Sequence, residues 1–386
     1  MRESFLPFHR PSIDEGDIAA VVHAMRSGWL TSGPGVLEFE RAFAAFVGAE
    51  HAVAVNSCTA ALHLALEAMG VGKGDEVILP TMTFAATAEV VTYLQARPVL
   101  VDCCPSTLNM TAGLLEPALT NRTRAIIAVH HSGLPCDLDP ILDLARSRGV
   151  AVVEDAAHCF PAAYRGRMIG AISDATCFSF YATKTITTGE GGMVTTQSAS
   201  QADRMRLMRL HGISRHAWNR YADNGTWRYE ILEAGFKYNL TDIAAALGSS
   251  QLAKARTLGE ARRRHAEQYS KALQDVPEIE VPPSGLDGEH AWHLYVIKLN
   301  LERLRIGRDQ FIEELRERRI GASVHFIPLH LHPYYRTLLG CRPDEYPAAT
   351  AVFERIVSLP LFPDMSSADV ADAVAAVTDI VRSHHR

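Results

Sequence analysis

The sequence predicts an α/β protein whose large domain contains a mostly parallel sheet covered by helices. Two observations predict this fold class. Between Glu50 and Ala151, short segments rich in strand-forming residues alternate with segments of helical spacing. The strand candidates, such as those that end at Pro80 and Val129, are apolar at nearly every position. Continuous apolar runs are typical of strands that are buried on both faces.

The first expected element is a helix from Ile13 to Arg26, after the N-cap candidate Ser12 and before Gly28. Strands and helices should then alternate. The expected strands are 51–55, 75–80, 97–102, 123–129, 150–155, 175–180 and 191–196, and the expected helices are 58–69, 84–96, one near 114, and 138–149. The pattern is helical from 241 to about 273, and short strands and helices mix from 278 onward. We therefore expect a large domain at 1–255 and a smaller α+β domain at 256–386.

The composition is that of a globular protein. The chain has 386 residues, of which 47% are hydrophobic and 21% are charged, so disordered and fibrous classes are excluded. The net charge of -6 disfavours nucleic acid as a partner. The N-terminus has no apolar run of signal-peptide type, and nowhere do about 18 apolar residues follow one another. We expect a cytoplasmic protein without a membrane partner.

Three segments place polar residues directly after expected strands, where a doubly wound sheet binds its ligand. In the first segment, 56–60, backbone N–H groups and a helix dipole favour a phosphate group. A simple N-cap by Ser57 or Thr59 explains the same residues equally well. The second segment is 154–158. A carboxylate buried there needs a cation, so we expect Asp155 to face an arginine, a metal ion or a protonated heterocycle.

The third segment, 179–192, carries a lysine after a strand end, among small and hydroxyl residues. A lysine in a buried crevice tends to have a lowered pKa and favours imine chemistry, whereas an exposed loop lysine has no such role. A phosphate site, a carboxylate for a ring nitrogen and an imine-forming lysine together indicate pyridoxal phosphate chemistry, with Lys184 and Asp155 as its main residues. A histidine such as His158, taken alone, is more often structural than catalytic, and no spacing indicates a metal site.

Five segments make the chain similar to the DegT/StrS sugar aminotransferases, which are fold-type I pyridoxal phosphate enzymes. They are NSCTAALHLALEA, PTMTFAAT, EDAAH, SFYATKTITTGEGG and GFKYNLTDIAAALG. The resemblance covers nearly the whole chain and implies a sheet of the seven-stranded type. Further segments, among them HAWHLYVI and SLPLFPDM, are most similar to the branch that aminates the 4-keto pentose of a UDP-sugar to give UDP-4-amino-4-deoxy-L-arabinose.

The resemblance assigns roles to matching residues. It implies that Lys184 attaches the cofactor covalently and moves a proton during turnover, that Asp155 pairs with the pyridine nitrogen, and that His158 completes the catalytic set. The implied cofactor-binding residues are Ser57, Cys58, Thr59, Ala60, Phe84, Asp155, His158, Ser179, Lys184, Lys237 and Asn239. The last two would reach over from the second subunit of a homodimer. Part of the family has Asn-Tyr-Arg at 237–239, so the sequence leaves open which of the two binds the phosphate.

Other candidates are substrate-binding residues. His325, His330 and Tyr334 resemble the family's sugar-pocket segment, although a structural loop is the alternative. Trp29 and Thr31 would close the pocket, or they form an exposed turn. The three consecutive arginines at 262–264 indicate a solvent-facing helix surface, with a role at a nucleotide diphosphate as the less favoured alternative.

The resemblance implies a homodimeric aminotransferase that moves the amino group of L-glutamate, through pyridoxamine phosphate, to the keto carbon of a UDP- or dTDP-linked sugar. C4 is the preferred position, 2-oxoglutarate is the co-product, and the implied pathway is lipopolysaccharide or other amino-sugar biosynthesis. The alternatives are a 3-keto sugar aminotransferase, a dehydratase of the same family, and a non-catalytic regulator on this fold. The dehydratase branch replaces the lysine or adds an iron–sulfur cluster, and a regulator has no need of Lys184 together with Asp155.

Overall fold

The computed structural model describes residues 2–214, 229–285 and 288–386. Within these residues the strands, numbered in chain order, are β1 (His51–Val55), β2 (Glu76–Pro80), β3 (Arg97–Val101), β4 (Thr123–Val129), β5 (Ala151–Asp155), β6 (Ala163–Tyr164), β7 (Arg167–Met168), β8 (Ala175–Ser179), β9 (Gly192–Thr196), β10 (Ile279–Glu280), β11 (Gly288–Glu289), β12 (Tyr295–Leu299) and β13 (Ile356–Leu359).

The same described residues form thirteen α-helices. They are α1 (Glu15–Ser27), α2 (Pro34–Val47), α3 (Cys58–Ala68), α4 (Ala86–Tyr93), α5 (Ala112–Leu115), α6 (Leu138–Arg148), α7 (Ala199–Met208), α8 (Asp242–Ala253), α9 (Ala255–Leu273), α10 (Arg308–Glu317), α11 (Pro333–Leu339), α12 (Pro347–Phe353) and α13 (Ser367–His384).

A seven-stranded sheet forms the centre of the larger part of the molecule, in the order β1-β9-β8-β5-β4-β2-β3. Neighbouring strands are parallel from β8 to β3, and β9 runs antiparallel to both of its neighbours. Apolar residues from both sheet faces pack against helices in two large clusters. The predicted α/β fold with a mostly parallel sheet is therefore confirmed.

Two helices, α2 and α7, are not among the elements that we expect from the sequence pattern. Helix α2 nevertheless has common end signals, because Pro34 occupies its first turn and Gly48 caps its end in the left-handed conformation, with φ of 78°. The helical stretch 241–273 is also divided at Lys254, whose ammonium group binds Asp14 at 2.5 Å and Asp17 at 2.6 Å. These bonds attach the junction of α8 and α9 to helix α1.

The smaller part of the molecule is built on the antiparallel sheet β10-β12-β13. Helices α9, α10 and α13 contribute to its apolar core, and Leu6 from the N-terminus belongs to the same core. The backbone of Leu6 bonds to Arg319 at 2.9 Å and to Gly321 at 2.8 Å. The N-terminal segment thus packs on the C-terminal part, while the domain division at 255/256 stays a prediction.

The larger and the smaller part of the molecule meet at the carboxyl ends of the sheet strands. Strands β5 and β8 end at Asp155 and Ser179, and helix α3 begins directly after β1. Loops of the C-terminal part cover this edge of the sheet. No helix in the described ranges combines the length and apolar character that a membrane span requires.

Candidate active site

A cavity of about 490 Å³ lies where these strand ends meet the C-terminal loops. Its walls include residues from all three polar segments of the sequence, and also from loops near 293, 325 and 361. The cavity-lining residues used below are Ser57, Cys58, Thr59, Phe84, Thr87, Asp155, His158, Ser179, Tyr181, Lys184, Gly191, His293, Ser323, His325, Phe326 and Leu361. The structure therefore brings the lysine, the carboxylate and the helix N-terminus into one space.

The start of helix α3 forms one end of the cavity. Ser57 is the N-cap, and its hydroxyl accepts a hydrogen bond of 3.1 Å from the N–H of Ala60. The N–H groups of Cys58 and Thr59 have no partner within the helix because they belong to its first turn. Together with the helix dipole, they suit a phosphate group. The N-cap and the phosphate interpretations of this segment are compatible in the structure.

A glycine lets strand β9 approach this helix end. A Cβ atom on Gly192 would lie 2.6 Å from the backbone carbonyl carbon and oxygen of Ser57, and 2.7 Å from the nitrogen of Cys58. No side chain fits at such distances without a shift of the backbone. Gly192 also pairs with Val55 of β1 and with Ser179 of β8. The last glycine of the sequence GEGG therefore sets the distance between the sheet and the phosphate end of the cavity.

Asp155 is the last residue of β5, and 6% of it is exposed. Its Oδ2 accepts a hydrogen bond of 2.9 Å from the Thr87 hydroxyl, and its Oδ1 accepts one of 3.2 Å from the N–H of Ala157. Burial raises the pKa of this carboxyl, and the two hydrogen bonds oppose the rise. Because both donors are neutral, the carboxylate keeps its charge available for a cation in the cavity.

Lys184 follows β8 and points into the same cavity. Burial lowers the pKa of its amine to about 8, and the positive charge of Arg262 lowers it further, against the opposing effects of Cys58 and Asp155. At pH 7 about one tenth of the amine is therefore unprotonated, far more than for a lysine of ordinary pKa. Its Nζ atom lies 3.5 Å from Nε2 of His293. An unprotonated lysine amine can attack a carbonyl group and can also accept a proton.

Histidines form much of the remaining wall. The ring of His158 lies 4.4 Å from the ring of His293, and it stacks at 5.7 Å on Phe326, centroid to centroid. Nε2 of His131 donates a hydrogen bond of 3.0 Å to the carbonyl oxygen of His325. Nδ1 of His325 lies 2.9 Å from the Ser358 hydroxyl. Burial lowers the pKa of His158 well below its ordinary value, so its ring is neutral. Among the described residues, no group of three or more potential ligands could hold a metal ion.

The residues present fit pyridoxal phosphate. The helix N-terminus suits its phosphate, the charged Asp155 suits a protonated ring nitrogen, and the amine of Lys184 suits its aldehyde. Phe84 is 61% exposed at the cavity wall and lies 5.9 Å from Phe326, centroid to centroid. These contacts place an aromatic surface beside the space that a cofactor ring would fill.

Three of the expected cofactor-binding residues, Lys237, Asn239 and Ala60, do not line this cavity. Nζ of Lys237 donates a hydrogen bond of 2.6 Å to Oδ1 of Asn239, and Nδ2 of Asn239 donates one of 2.6 Å to the hydroxyl of Ser32. The side chain of Asn56 reaches the carbonyl oxygen of Lys237 at 3.3 Å. Ala60 is buried within α3, and its N–H already donates to the Ser57 hydroxyl.

Of the five expected substrate-binding residues, His325 is the one that lines the cavity. His330 is completely buried outside it. Nδ1 of His330 lies 2.8 Å from the Thr81 hydroxyl and Nε2 lies 3.0 Å from the Thr350 hydroxyl, so both ring nitrogens are already used. This corrects the expectation that His330 contacts the sugar, because its ring joins the C-terminal part to the end of β2.

The remaining substrate candidates do not line the cavity of their own chain. Tyr334 is 58% exposed on helix α11. Nε1 of Trp29 donates a hydrogen bond of 3.1 Å to the carbonyl oxygen of Ser32, which folds the indole over its own turn. Thr31 is exposed beside it, and its carbonyl oxygen accepts from the N–H of Asp242 at 3.2 Å. Within one subunit the exposed-turn alternative therefore holds for Thr31, whereas Trp29 is half-buried and Ser32 is buried.

Several residues of the site are absent from our expectations. His293 and Phe326 line the cavity, and the sequence shows them only as parts of the family-like segments HAWHLYVI and HFIPLH. The expectation that 262–264 faces solvent is wrong for Arg262, which is completely buried, and holds for Arg263 and Arg264. The signal that was available is helical periodicity, since Arg262 falls between Leu258 and Ala266 on the apolar face of α9.

Comparisons with known proteins agree with this geometry. A model of the DegT/DnrJ/EryC1/StrS aminotransferase family matches residues 11–378. The chain is 49% identical over 381 residues to the uncharacterized protein MJ1066 of Methanocaldococcus jannaschii, with 99% of each chain covered. It is 48% identical over 382 residues to the spore coat polysaccharide biosynthesis protein SpsC of Bacillus subtilis, covering 99% of this chain and 98% of that one.

The chain is also similar in structure to solved aminotransferases. A proposed sugar aminotransferase, Spr1654 from Streptococcus pneumoniae, matches in its PMP form with a TM-score of 0.92 and 33% identity, covering 98% of each chain. Its PLP form also has a TM-score of 0.92 and 33% identity, covering 98% of this chain and 99% of that one.

Proposed function

Since the chain belongs to the DegT/DnrJ/EryC1/StrS aminotransferase family and is a pyridoxal phosphate-dependent sugar aminotransferase, we propose that it aminates C4 of a nucleotide-linked keto sugar with L-glutamate as the donor. The acceptor is a UDP- or dTDP-linked sugar, and 2-oxoglutarate is the co-product. We place this reaction in the cytoplasm, in a homodimer, and in the biosynthesis of a surface polysaccharide such as lipopolysaccharide.

The observation that carries the proposal is the presence of Lys184 and Asp155 in one cavity beside the free N–H groups of α3. When bound, pyridoxal phosphate supplies the electron sink that amino transfer needs. Asp155 provides a fixed negative charge for the ring nitrogen, and the helix N-terminus binds the phosphate. Lys184 accepts a proton at Nζ and returns it, for which its lowered pKa is suited.

The open side of the cavity supports a sugar nucleotide as the acceptor. Phe84 and Tyr181 expose 61% and 46% of their surfaces there, and aromatic faces suit both sugar rings and nucleobases. The side chains of Ser323 and His325 line the same space and offer polar atoms for sugar hydroxyl groups. The relative SpsC is described as a polysaccharide biosynthesis protein, which supports an acceptor of this class.

The homodimer is supported by the position of Lys237 and Asn239. The Asn239 side chain binds Ser32 and the Lys237 side chain binds Asn239, so neither lines the cavity of its own chain. The backbone of Asn239 pairs with Val55 at the edge of β1. Lys237 is exposed, so its ammonium group is available to the phosphate end of a neighbouring subunit.

The test is the regiochemistry of the product. The purified holoenzyme is incubated with L-glutamate and matched 4-keto and 3-keto sugars, each linked to UDP or dTDP, and the products are identified by mass spectrometry and NMR. We expect an amine at C4 with release of 2-oxoglutarate. Faster amination of a 3-keto sugar would select the alternative enzyme, and binding without turnover of any keto sugar would favour the regulator.

A further inference from the structure

His293 has no role assigned above, although its ring faces the reacting lysine. Its Nε2 lies 3.5 Å from Nζ of Lys184, at the outer limit of hydrogen-bond distance. The other ring nitrogen, Nδ1, is buried and has no hydrogen-bond partner among the described residues. Only 6% of His293 is exposed. A buried ring nitrogen without a partner is costly, and such groups are uncommon outside functional sites.

The segment that carries His293 is held from two sides. The N–H of Ala291 donates to the carbonyl of Gly133 at 2.9 Å, and the N–H of Leu294 donates to the carbonyl of Ser132 at 3.1 Å. Gly133 allows this approach, since its φ is 99° and a Cβ there would lie 3.1 Å from the nitrogen of His293. These bonds attach the segment to the loop after β4.

Arg262 holds the segment from the other side. Its Nη1 donates to the carbonyl oxygens of His293 at 3.2 Å and of Leu361 at 2.8 Å. Its Nε and Nη2 atoms are buried without a hydrogen-bond partner in the described chain. The guanidinium therefore fastens two cavity-lining loops to helix α9.

The groups around His293 and Lys184 determine whether the His293 ring is charged. Burial lowers the pKa of His293 well below its ordinary value, and the positive charge of Lys184 lowers it further. A neutral ring can accept a hydrogen bond at Nε2 if its proton is on Nδ1. The titratable groups that face His293 or Lys184 from the surrounding elements are His9, Cys58, Asp155, His158, Arg262 and His325.

We propose that His293 is a catalytic residue that accepts a hydrogen bond from the protonated amine of Lys184, with Arg262 as the residue that positions it. The proposal rests on the aminotransferase activity and is independent of which sugar is the acceptor. When Lys184 takes a proton from the donor carbon, its amine becomes an ammonium group, and the Nε2 lone pair stabilises that ammonium. With the cofactor bound, the proton would then leave Nζ for the cofactor's aldehyde carbon, and in the second half of the reaction the same amine would carry a proton from that carbon to the keto carbon of the sugar. His293 neither gains nor loses a proton.

The proposed hydrogen bond predicts a measurable change in the pKa of Lys184 when His293 is replaced. Only the unprotonated amine combines with the cofactor aldehyde, so the rate of covalent attachment to the cofactor-free protein reports the protonation state of Lys184. We expect a midpoint near pH 8 in the unaltered protein, where the pKa of Lys184 lies. His293→Phe removes the acceptor and should lower the midpoint by about one pH unit, which is a tenfold change in the ratio of protonated to unprotonated amine. His293→Gln retains an acceptor and should keep the midpoint close to that of the unaltered protein.

The experiment mixes each cofactor-free variant with pyridoxal phosphate between pH 6 and 10 and follows absorbance by stopped flow. His290→Phe is the matched control, because this histidine belongs to the same segment but stacks on Trp292, with 3.9 Å between ring centroids. The control should leave the midpoint unchanged. If His293→Phe does not fold, as judged by circular dichroism, His293→Met replaces it.

Two results would overturn the proposal. The first is a midpoint in His293→Phe that equals that of the unaltered protein. The second is a shift in His293→Gln or in His290→Phe as large as that in His293→Phe, because a change in loop packing would then explain the effect. The measurement needs no sugar substrate, so it can fail while the proposed function stands, and the reverse is also true.

Discussion

The hydroxyl of Thr87 donates a hydrogen bond of 2.9 Å to Oδ2 of Asp155, and this bond joins the first turn of helix α4 to the end of strand β5. A second hydroxyl, that of Thr83, lies 2.7 Å from the Thr87 oxygen. Burial raises the pKa of Asp155, and the bond from Thr87 is the largest effect that opposes this rise. Thr87 therefore helps to keep a buried carboxylate charged.

Removing the negative charge of Asp155 should lower kcat more than it weakens cofactor binding. Asp155→Asn preserves the shape of the side chain but removes the anion, so we expect the cofactor to bind while kcat falls by roughly a thousandfold. Thr87→Val should cost about tenfold, because it removes one hydrogen bond and leaves the charge in place. Absorbance titration and steady-state rates with a keto-sugar substrate measure the two effects. A folded Asp155→Asn protein with a kcat close to that of the unaltered enzyme would contradict this role.

Removing the lysine amine should abolish turnover. Lys184→Ala leaves the phosphate end of the cavity unchanged, so cofactor should still bind, but without covalent attachment. Borohydride reduction of the unaltered holoenzyme, followed by peptide mapping, should place the reduced cofactor on Lys184. A label on any other lysine would disprove the assignment.

Adding a methyl group at Gly192 should disturb the phosphate end. The new Cβ would lie 2.6 Å from the backbone of Ser57, so we expect Gly192→Ala to lose about 1–3 kcal/mol of stability and to weaken cofactor binding. Gly72→Ala is the control, since a Cβ there meets no atom within 4 Å. Chemical denaturation and cofactor titration measure both variants. Equal stability of the two would show that β9 can move away from α3.

The histidines around the cavity should make the cofactor-free protein less stable in mild acid. Burial lowers the pKa of five of them, namely His131 to about 4, His290 and His325 to about 3, and His158 and His293 well below the ordinary value. The unfolded chain binds protons at these positions below about pH 6.5, whereas the folded protein does not, so stability falls as the pH decreases from 6.5 toward 4. Each fully neutral histidine contributes about 1.4 kcal/mol per pH unit.

Denaturant unfolding at pH 7.5 and at pH 5.5 measures this loss. His131→Asn should make the dependence shallower, because one proton fewer is taken up on unfolding. A free energy of unfolding that stays constant between the two pH values would contradict the neutral state of the cluster.

Subunit exchange tests the shared active site. Lys184→Ala protein is mixed with a Lys237→Ala/Asn239→Ala double variant, each inactive alone. Random exchange makes about half of the dimers mixed, and each mixed dimer has one intact site if the site is shared, so activity should rise to roughly a quarter of the unaltered level. Native mass spectrometry confirms the mixed dimers. Activity that stays at the level of the parents would show that Lys237 and Asn239 do not act across the interface.

The strands of the large sheet and the main chemical groups could be predicted from the sequence, whereas helices α2 and α7 are not among the expected elements. Local patterns carry this information: apolar runs indicate buried strands, and a polar residue directly after such a run must lie at a strand end. This rule identifies Lys184 and Asp155, and the parallel strands β5 and β8 bring the two residues to the same edge of the sheet. The resemblance to a known family added the identity of the cofactor.

The residues from the C-terminal part could be assigned only from the tertiary structure. His293 lies 109 positions from Lys184, and His330 lies 249 positions from Thr81, so no local pattern distinguishes the histidine in the cavity from the one that bonds to the sheet. The burial of Arg262 likewise depends on the loops at 292–293 and 361 that close over α9. Sequence periodicity identifies the face of a helix, whereas the packing of distant segments decides what that face contacts.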